Sequence, residues 1–313
     1  MAADGTLVAG VPASASTGRA NGLQRFARRR STIAFLMTLP LIALIGGLVV
    51  YPAGYAMWLS TLNRRMTANI GLGNFELLLE NDTFRAVIWQ SCIFAVGAVV
   101  LKALIGFWLA HMLHHIPAKG QRKWRGMLLV PWVIPPALST LGWWWMFDPS
   151  YSSINWLLSI FAVPAVPWLG EPWWARLSVI MVNVWYGSPF FMIMYLAALK
   201  SVPDQLYEAA AIDGATGWQG LRYVTLPMMQ NIISITVLFS LIVTFANYDI
   251  VRVLTNGGPR DLTQVFASYA FQVGILSGNL PRGAAVSLFM FPVLAVFAFF
   301  ILRGINRRNK EQM

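Results

Sequence analysis

Long apolar runs separated by short polar segments make up most of this chain. A helix needs about 20 apolar residues to cross the hydrocarbon core of a bilayer. Six runs qualify, near Ala34–Trp58, Val87–Leu109, Met127–Met146, Leu177–Leu199, Ile232–Val253 and Ala284–Leu302. Within each run the apolar residues are continuous rather than alternating, which predicts helices and not a barrel. The expected fold is all-α, an integral membrane protein with six transmembrane helices.

The segments between the runs refine this picture. Pro131, Pro135 and Pro136 fall inside the third run and predict a kink, because each removes a backbone donor. The stretch 148–176 carries Pro149, Pro164, Pro167 and Pro172 and predicts a loop with one short surface helix near Ile154–Phe161. Residues 1–30 are rich in Ala, Gly and Ser and end in Arg28-Arg29-Arg30, which predicts a disordered basic tail. The apolar run that follows is too long for a signal peptide core and is read as an uncleaved span. The domain plan is then a tail over 1–30, a membrane domain over 31–303 and a second tail over 304–313.

Composition agrees with a membrane setting. Charged residues make up 11% of the chain, against roughly 25% in a soluble domain. The 14 Trp residues suit the membrane–water boundary, and Trp143, Trp144, Trp145, Trp168, Trp173 and Trp174 are candidate anchors there or packing residues. The net charge of +11 is not a nucleic-acid footprint, because the basic residues flank the apolar runs. With the N-terminus inside, inner segments hold Arg19, Arg25, Arg28, Arg29, Arg30, Lys119, Arg122, Lys123, Arg125, Lys200, Arg222, Arg303, Arg307, Arg308 and Lys310. The outer segments hold fewer: Arg64, Arg65, Arg85, Arg176, Arg252, Arg260 and Arg282. This bias predicts a multi-pass protein with both termini cytoplasmic.

The inner segment between the fourth and fifth runs carries the most specific signal. From Ser201 it reads SVPDQLYEAAAIDGATGWQGLRYVTLPMMQ. Ser201 is read as a helix cap with Pro203 in the first turn, Gly214 as a helix stop, and Thr216 with Gln219 as a second capping box. A short helix, a break and a second short helix follow, with Leu206, Ala209, Ala210 and Ile212 as a small apolar face. Small side chains let such a helix sink into a partner's groove, and Glu208 offers a charge across the contact. The competing reading is a plain amphipathic connector.

Glu208-Ala209-Ala210, Gly214, Val224 and Leu226-Pro227 resemble the EAA loop of binding-protein-dependent ABC importer permeases. That pattern has Ile where this chain has Val224. Tyr51-Pro52, Pro131-Trp132, Phe147-Asp148-Pro149, Pro203-Asp204-Gln205-Leu206-Tyr207 and Leu254-Thr255-Asn256-Gly257-Gly258-Pro259 are similar to the sugar-type branch, the maltose, lactose and glycerol-3-phosphate permeases. The resemblance runs from about residue 30 onward and points to the first permease subunit of a heterodimer.

The resemblance implies a cytoplasmic coupling loop over 201–227, in which Glu208, Ala209, Ala210, Asp213, Gly214, Leu226 and Pro227 engage an ATPase. It implies a second homologous permease, two ABC ATPase subunits that bind ATP and Mg, and a periplasmic or lipid-anchored solute-binding protein, in a bacterial inner membrane. The chain itself holds no phosphate-cradling loop and no nucleophile–base set, so it is expected to be non-catalytic and to carry no cofactor. Its solute would be a sugar, oligosaccharide, polyol or sugar derivative, with a neutral one favoured. The competing function is an ion-coupled secondary transporter acting alone. That would want ionisable residues deep in several spans, where only Asp249 and Lys102 stand.

Transport sites lie near the bilayer midplane. The fourth run has Trp185-Tyr186-Gly187-Ser188-Pro189-Phe190 at its middle, where Gly, Ser and Pro are expected to loosen the helix. The fifth carries Asn247-Tyr248-Asp249. The resemblance assigns Gly187, Phe190 and Asn247 to a solute pocket. Asn183, Tyr186, Tyr248 and Asp249 join them by chemistry alone, with interhelical packing as the alternative and an Asp249–Arg252 pair as another. Lys102, in the second run, is expected to snorkel to the surface. His111, His114 and His115 are expected to form a solvated basic stretch, and the lone Cys92 to be packing.

Overall fold

A computed structural model of the protein describes residues 30–311. The tail expected over 1–30 therefore lies outside the described residues, except for Arg30. Every regular element among the described residues is a helix, and the one bridge, between Leu62 and Asn69, is isolated. Among the described residues five helical stretches are long and apolar enough to cross a membrane: Met37–Ser60, Asp82–His114, Pro172–Lys200, Gly217–Phe245 and Leu280–Gly304.

The chain divides into two compact units, Met1–Tyr55 and Ala56–Met313. In the first, α1 (Arg30–Ile45) passes through a π turn (Gly46–Val50) into α2 (Tyr51–Ser60), with Tyr51 and Tyr55 stacked at 6.4 Å. The π turn sits just before Pro52. Its wider i→i+5 bond, here from Tyr51 N–H to the Gly46 carbonyl, lets the helix continue past a residue that has no N–H.

The second unit opens with α3 (Gly73–Leu79) and the long α4 (Asp82–His114), which Asn81 caps by accepting from the Phe84 N–H at 3.0 Å. It continues through α5 (Ala118–Leu128), α6 (Val130–Val133), α7 (Pro136–Met146) and α8 (Ser153–Ile160) to the long α9 (Pro172–Lys200). Next come α10 (Asp204–Ile212), α11 (Gly217–Gly220), a π turn (Leu221–Thr225) and α12 (Leu226–Phe245). The unit ends with α13 (Asp249–Leu254), α14 (Phe266–Phe271), a third π turn (Gln272–Leu276) and α15 (Leu280–Glu311).

Helices α4 and α9 form the central pair. Gly97 lies against Ile180, Gly187 against Lys102, and Gly106 against Phe191 and Met192. The numbers rise together, so the two helices run parallel. The chain between them must therefore return along their length, and α5, α6 and α7 make that return. The third run is thus not one kinked helix but three pieces. Ile134 is extended (φ −71, ψ 135), as the residue before a proline prefers, and α7 starts afresh at Pro136.

Helix α12 packs antiparallel to α9, with Phe190 on Phe239 at 5.3 Å. Aromatic rings join the remaining helices. Phe84 meets Phe266, Tyr269 and Phe289 at 5.0–6.2 Å, and Phe245 meets Phe297 at 5.7 Å. A second core gathers Phe147, Trp168, Ile180, Val251 and Leu254, where α7, α9 and α13 converge. Trp168 is buried there, whereas Trp145 and Trp173 stay exposed, so the tryptophans divide between packing and surface roles.

Ser188 and Pro189 leave α9 unbroken, where a loosened helix was expected, and the Ser188 hydroxyl donates to the Val184 carbonyl at 2.6 Å. Helix α15 continues to Glu311, beyond the apolar stretch that ends at Gly304.

A Cβ at Gly106 would come within 3.1 Å of the Phe191 and Met192 backbone, atoms that cannot step aside. Gly106→Val should therefore cost about 1–3 kcal/mol by overpacking. The expected outcome is a clear drop in the melting temperature of the detergent-solubilised protein, and an unchanged melt would contradict this packing.

Candidate functional site

Two regions of the second unit collect the sequence candidates. The first is a crevice of about 60 Å³ where α9 meets α12. It is lined by Asn183, Tyr186, Gly187 and Phe190 from α9, by Phe239, Ser240, Val243 and Thr244 from α12, and by Asn247, Trp132 and Lys102. Five candidates, Asn183, Tyr186, Gly187, Phe190 and Asn247, thus share one wall. Phe190 stands between Trp132 at 5.9 Å and Phe239 at 5.3 Å, giving the crevice an aromatic face. The Asn183 Oδ1 is buried and has no hydrogen-bond partner.

Tyr248 and Asp249 are not among the residues lining the crevice. The fifth run does not continue as one helix to Val253: α12 ends at Phe245, and the chain breaks over 246–248 before α13. Asn247 marks the break by accepting from the Ile250 N–H at 3.3 Å. Tyr248 turns its ring onto Phe271 at 5.0 Å, and Asp249 opens α13, where a helix start favours a carboxylate. Among the described residues Asp249 makes no ion pair with Arg252. The guanidinium instead donates to Asn256 and lies over Phe271 at 5.5 Å.

Lys102 is the residue that sequence reasoning misplaced. It does not snorkel: it is 4% exposed, and its Nζ donates to the Thr244 hydroxyl at 2.8 Å. Its stem lies flat on Gly187, where a Cβ would come 2.5 Å from Lys102 Cδ. The available signal was the pairing of a lone lysine in one apolar run with a mid-run glycine in another.

The second region is the segment between α9 and α12. Ser201 does not cap α10. Its hydroxyl donates back to the Ala198 carbonyl and finishes α9, while Pro203 precedes α10 without a side-chain cap. Gly214 takes φ +76, a conformation costly for residues with a Cβ, and ends α10 as expected. Thr216 and Gln219 form the capping box. The second helix is not separate, however. It runs on through the π turn at Leu221–Thr225 into α12, and Pro227 sits just past that turn, as Pro52 does in the first unit.

Glu208, Ala209, Asp213, Gly214 and Leu226 are exposed, Ala210 and Pro227 are half-buried, and Ile212 is 87% exposed. The Tyr207 and Thr225 hydroxyls are hydrogen-bonded at 2.9 Å and tie α10 to the base of α12. His111, His114 and His115, exposed at the end of α4, border a cavity of about 640 Å³ together with Asp204, Tyr207 and Trp218.

Long apolar helices with a largely apolar crevice between them, and an exposed helix–turn segment, make this a multi-pass membrane protein. Residues 102–311 match the family model for the binding-protein-dependent transport system inner membrane component. The chain is 31% identical over 287 residues to the trehalose/maltose transport system permease protein MalF of Thermococcus litoralis, covering 90% of this chain and 96% of that one. It is 30% identical over 257 residues to the maltose/maltodextrin transport system permease protein MalF of Klebsiella aerogenes, and spans about half of that protein's length. In fold it is similar to a chain of a bacterial ABC transporter involved in the import of the acidic polysaccharide alginate, with TM-score 0.78 at 22% identity, over 91% of this chain and 98% of that one. The chain belongs to the family of binding-protein-dependent transport system inner membrane components, the permease subunits of ABC importers.

Tyr207→Phe removes the tie between α10 and α12, a hydrogen bond worth about 0.5–1.5 kcal/mol. Amide exchange across Asp204–Ile212 should quicken about two- to tenfold, by mass spectrometry of the solubilised protein. Unchanged exchange would show that the tie does not hold α10.

Proposed function

We propose that this chain is the membrane subunit of an ATP-driven importer that carries a sugar or sugar derivative inward by alternating access. The observation that carries this reading is the segment 201–227, which stands exposed between two long apolar helices in a member of the permease family. Family membership also favours the importer over a secondary transporter acting alone. The sugar class rests on the trehalose/maltose and maltose/maltodextrin systems for which the relatives are named.

In this reading α10 seats in an ABC ATPase through Glu208, Ala209, Ala210, Asp213 and Gly214, with Leu226 and Pro227 at the root of the lever. ATP and Mg bind to two such ATPase subunits, and this chain carries out no hydrolysis. The segment faces the cytoplasm, as do both termini, consistent with the Lys and Arg bias along the sequence. A second permease faces the crevice lined by Asn183, Tyr186, Gly187, Phe190 and Asn247, and a solute-binding protein delivers solute from outside. Tyr248 and Asp249, beside Asn247 in the chain, would meet solute only at the edge of that wall.

Gly214→Asp places a carboxylate on the docking surface at a residue with φ +76. The subunit should still reach the membrane and co-purify with its second permease. Uptake of radiolabelled sugar should fall at least tenfold, with loss of ATPase stimulation by the loaded binding protein. Normal uptake, or purification of the intact complex without an ATPase, would defeat the docking role.

A further inference from the structure

The geometry points to Lys102 as the group that receives an anionic substituent of the solute, so that the transported sugar is an acidic one. This deepens the importer reading and rests on it. Lys102 is 4% exposed, at mid-length in a helix that is otherwise almost wholly apolar. None of the residues lining its crevice is Asp or Glu, and the only salt bridge among the described residues is Arg85–Asp82. An ionisable group held in a membrane interior without a counter-charge marks a substrate path more often than a packing contact.

The surroundings leave room for a ligand. An ammonium has three donors, and one is engaged, at 2.8 Å to Thr244 Oγ1. That hydroxyl donates in turn to the Ser240 carbonyl at 2.6 Å, and being neutral it leaves the ammonium's charge unbalanced. Gly187 makes room for the lysine stem, since a Cβ there would lie 2.5 Å from Cδ, and so lets the ammonium reach the crevice. In the same crevice the Asn183 Oδ1, on a side chain 3% exposed, has no partner and suits a sugar hydroxyl. The aromatic face of Phe190 and Trp132 suits a sugar ring. A cation, a free acceptor and a ring platform together fit a sugar bearing a carboxylate, sulfonate or phosphate.

The test uses the complete importer in proteoliposomes, with its own ATPase, second permease and binding protein. The probes are a glucuronate-containing disaccharide, sulfoquinovose and glycerol-3-phosphate, against maltose and trehalose. The wild type should import at least one acidic probe tenfold or more faster than either neutral sugar. Lys102→Met should cut that acidic uptake at least tenfold, and Lys102→Arg should keep it within about threefold. Import of neutral sugars alone, or acidic uptake indifferent to Lys102→Met, overturns the assignment and leaves the importer reading standing. Uptake of neither class overturns the importer reading itself. If Lys102→Met fails to assemble, the wild-type preference between the two classes decides.

Discussion

Where α4 passes α9, Gly106 puts nothing between its own backbone and that of Phe191 and Met192. Lipid chains are as apolar as leucine, so helices in a membrane gain little from hiding apolar surface and associate through close packing at small residues. Ala95, Ala98, Ala110 and Ala198 are fully buried in this pair, as that mode of association requires. The contact also fixes the topology. Two parallel helices need a return leg between them, and the chain supplies it in the broken stretch α5–α7. The same register brings Lys102 against Gly187 and sets the angle at which α12 closes the crevice through Phe190, Phe239 and Thr244.

The second consequence concerns how motion could travel. The segment Gly217–Phe245 is helical from the capping box to the crevice wall. From Gly217 to Thr244 the rise is about 40 Å at 1.5 Å per residue. The π turn at Leu221–Thr225 absorbs Pro227, so no flexible joint separates the exposed segment from Ser240 and Thr244. A displacement of α10, tied to this helix by Tyr207 and Thr225, would therefore move one wall of the crevice directly. That coupling is what the proposed importer mechanism needs.

Much of this was legible in the sequence, and the exceptions share a physical origin. Hydropathy alone located the long helices, because burial of backbone polar groups in lipid leaves few other options. Gly214 and the Thr216–Gln219 box were readable because a left-handed residue and a reciprocal cap have local signatures. Prolines misled in both directions. Pro135 and Pro136 broke a helix where a kink was expected, while Pro189, expected to loosen its helix, left it continuous. Pro227 is accommodated by the π turn just before it. Lys102 was misplaced for a related reason. Its position suggested a route to the surface, and only the packing against Gly187 shows that the side chain turns inward. Tyr248 and Asp249 were grouped with Asn247 because the helix was read as continuous through Phe245.

The size of the crevice carries the last step. Pockets that hold small organic ligands run to about 300–1,000 Å³, and this one offers about 60 Å³. In the proposed importer the chain would then contribute one face of a solute path, with most of the volume supplied by whatever faces it. On such a shared surface a group that acts at short range, such as a single hydroxyl, recognises solute only when both walls have closed. A charge acts over several ångströms in a medium of low dielectric. Lys102 would then bias which solute settles against this wall before the opposite one arrives, which is where discrimination between acidic and neutral sugars would be most effective.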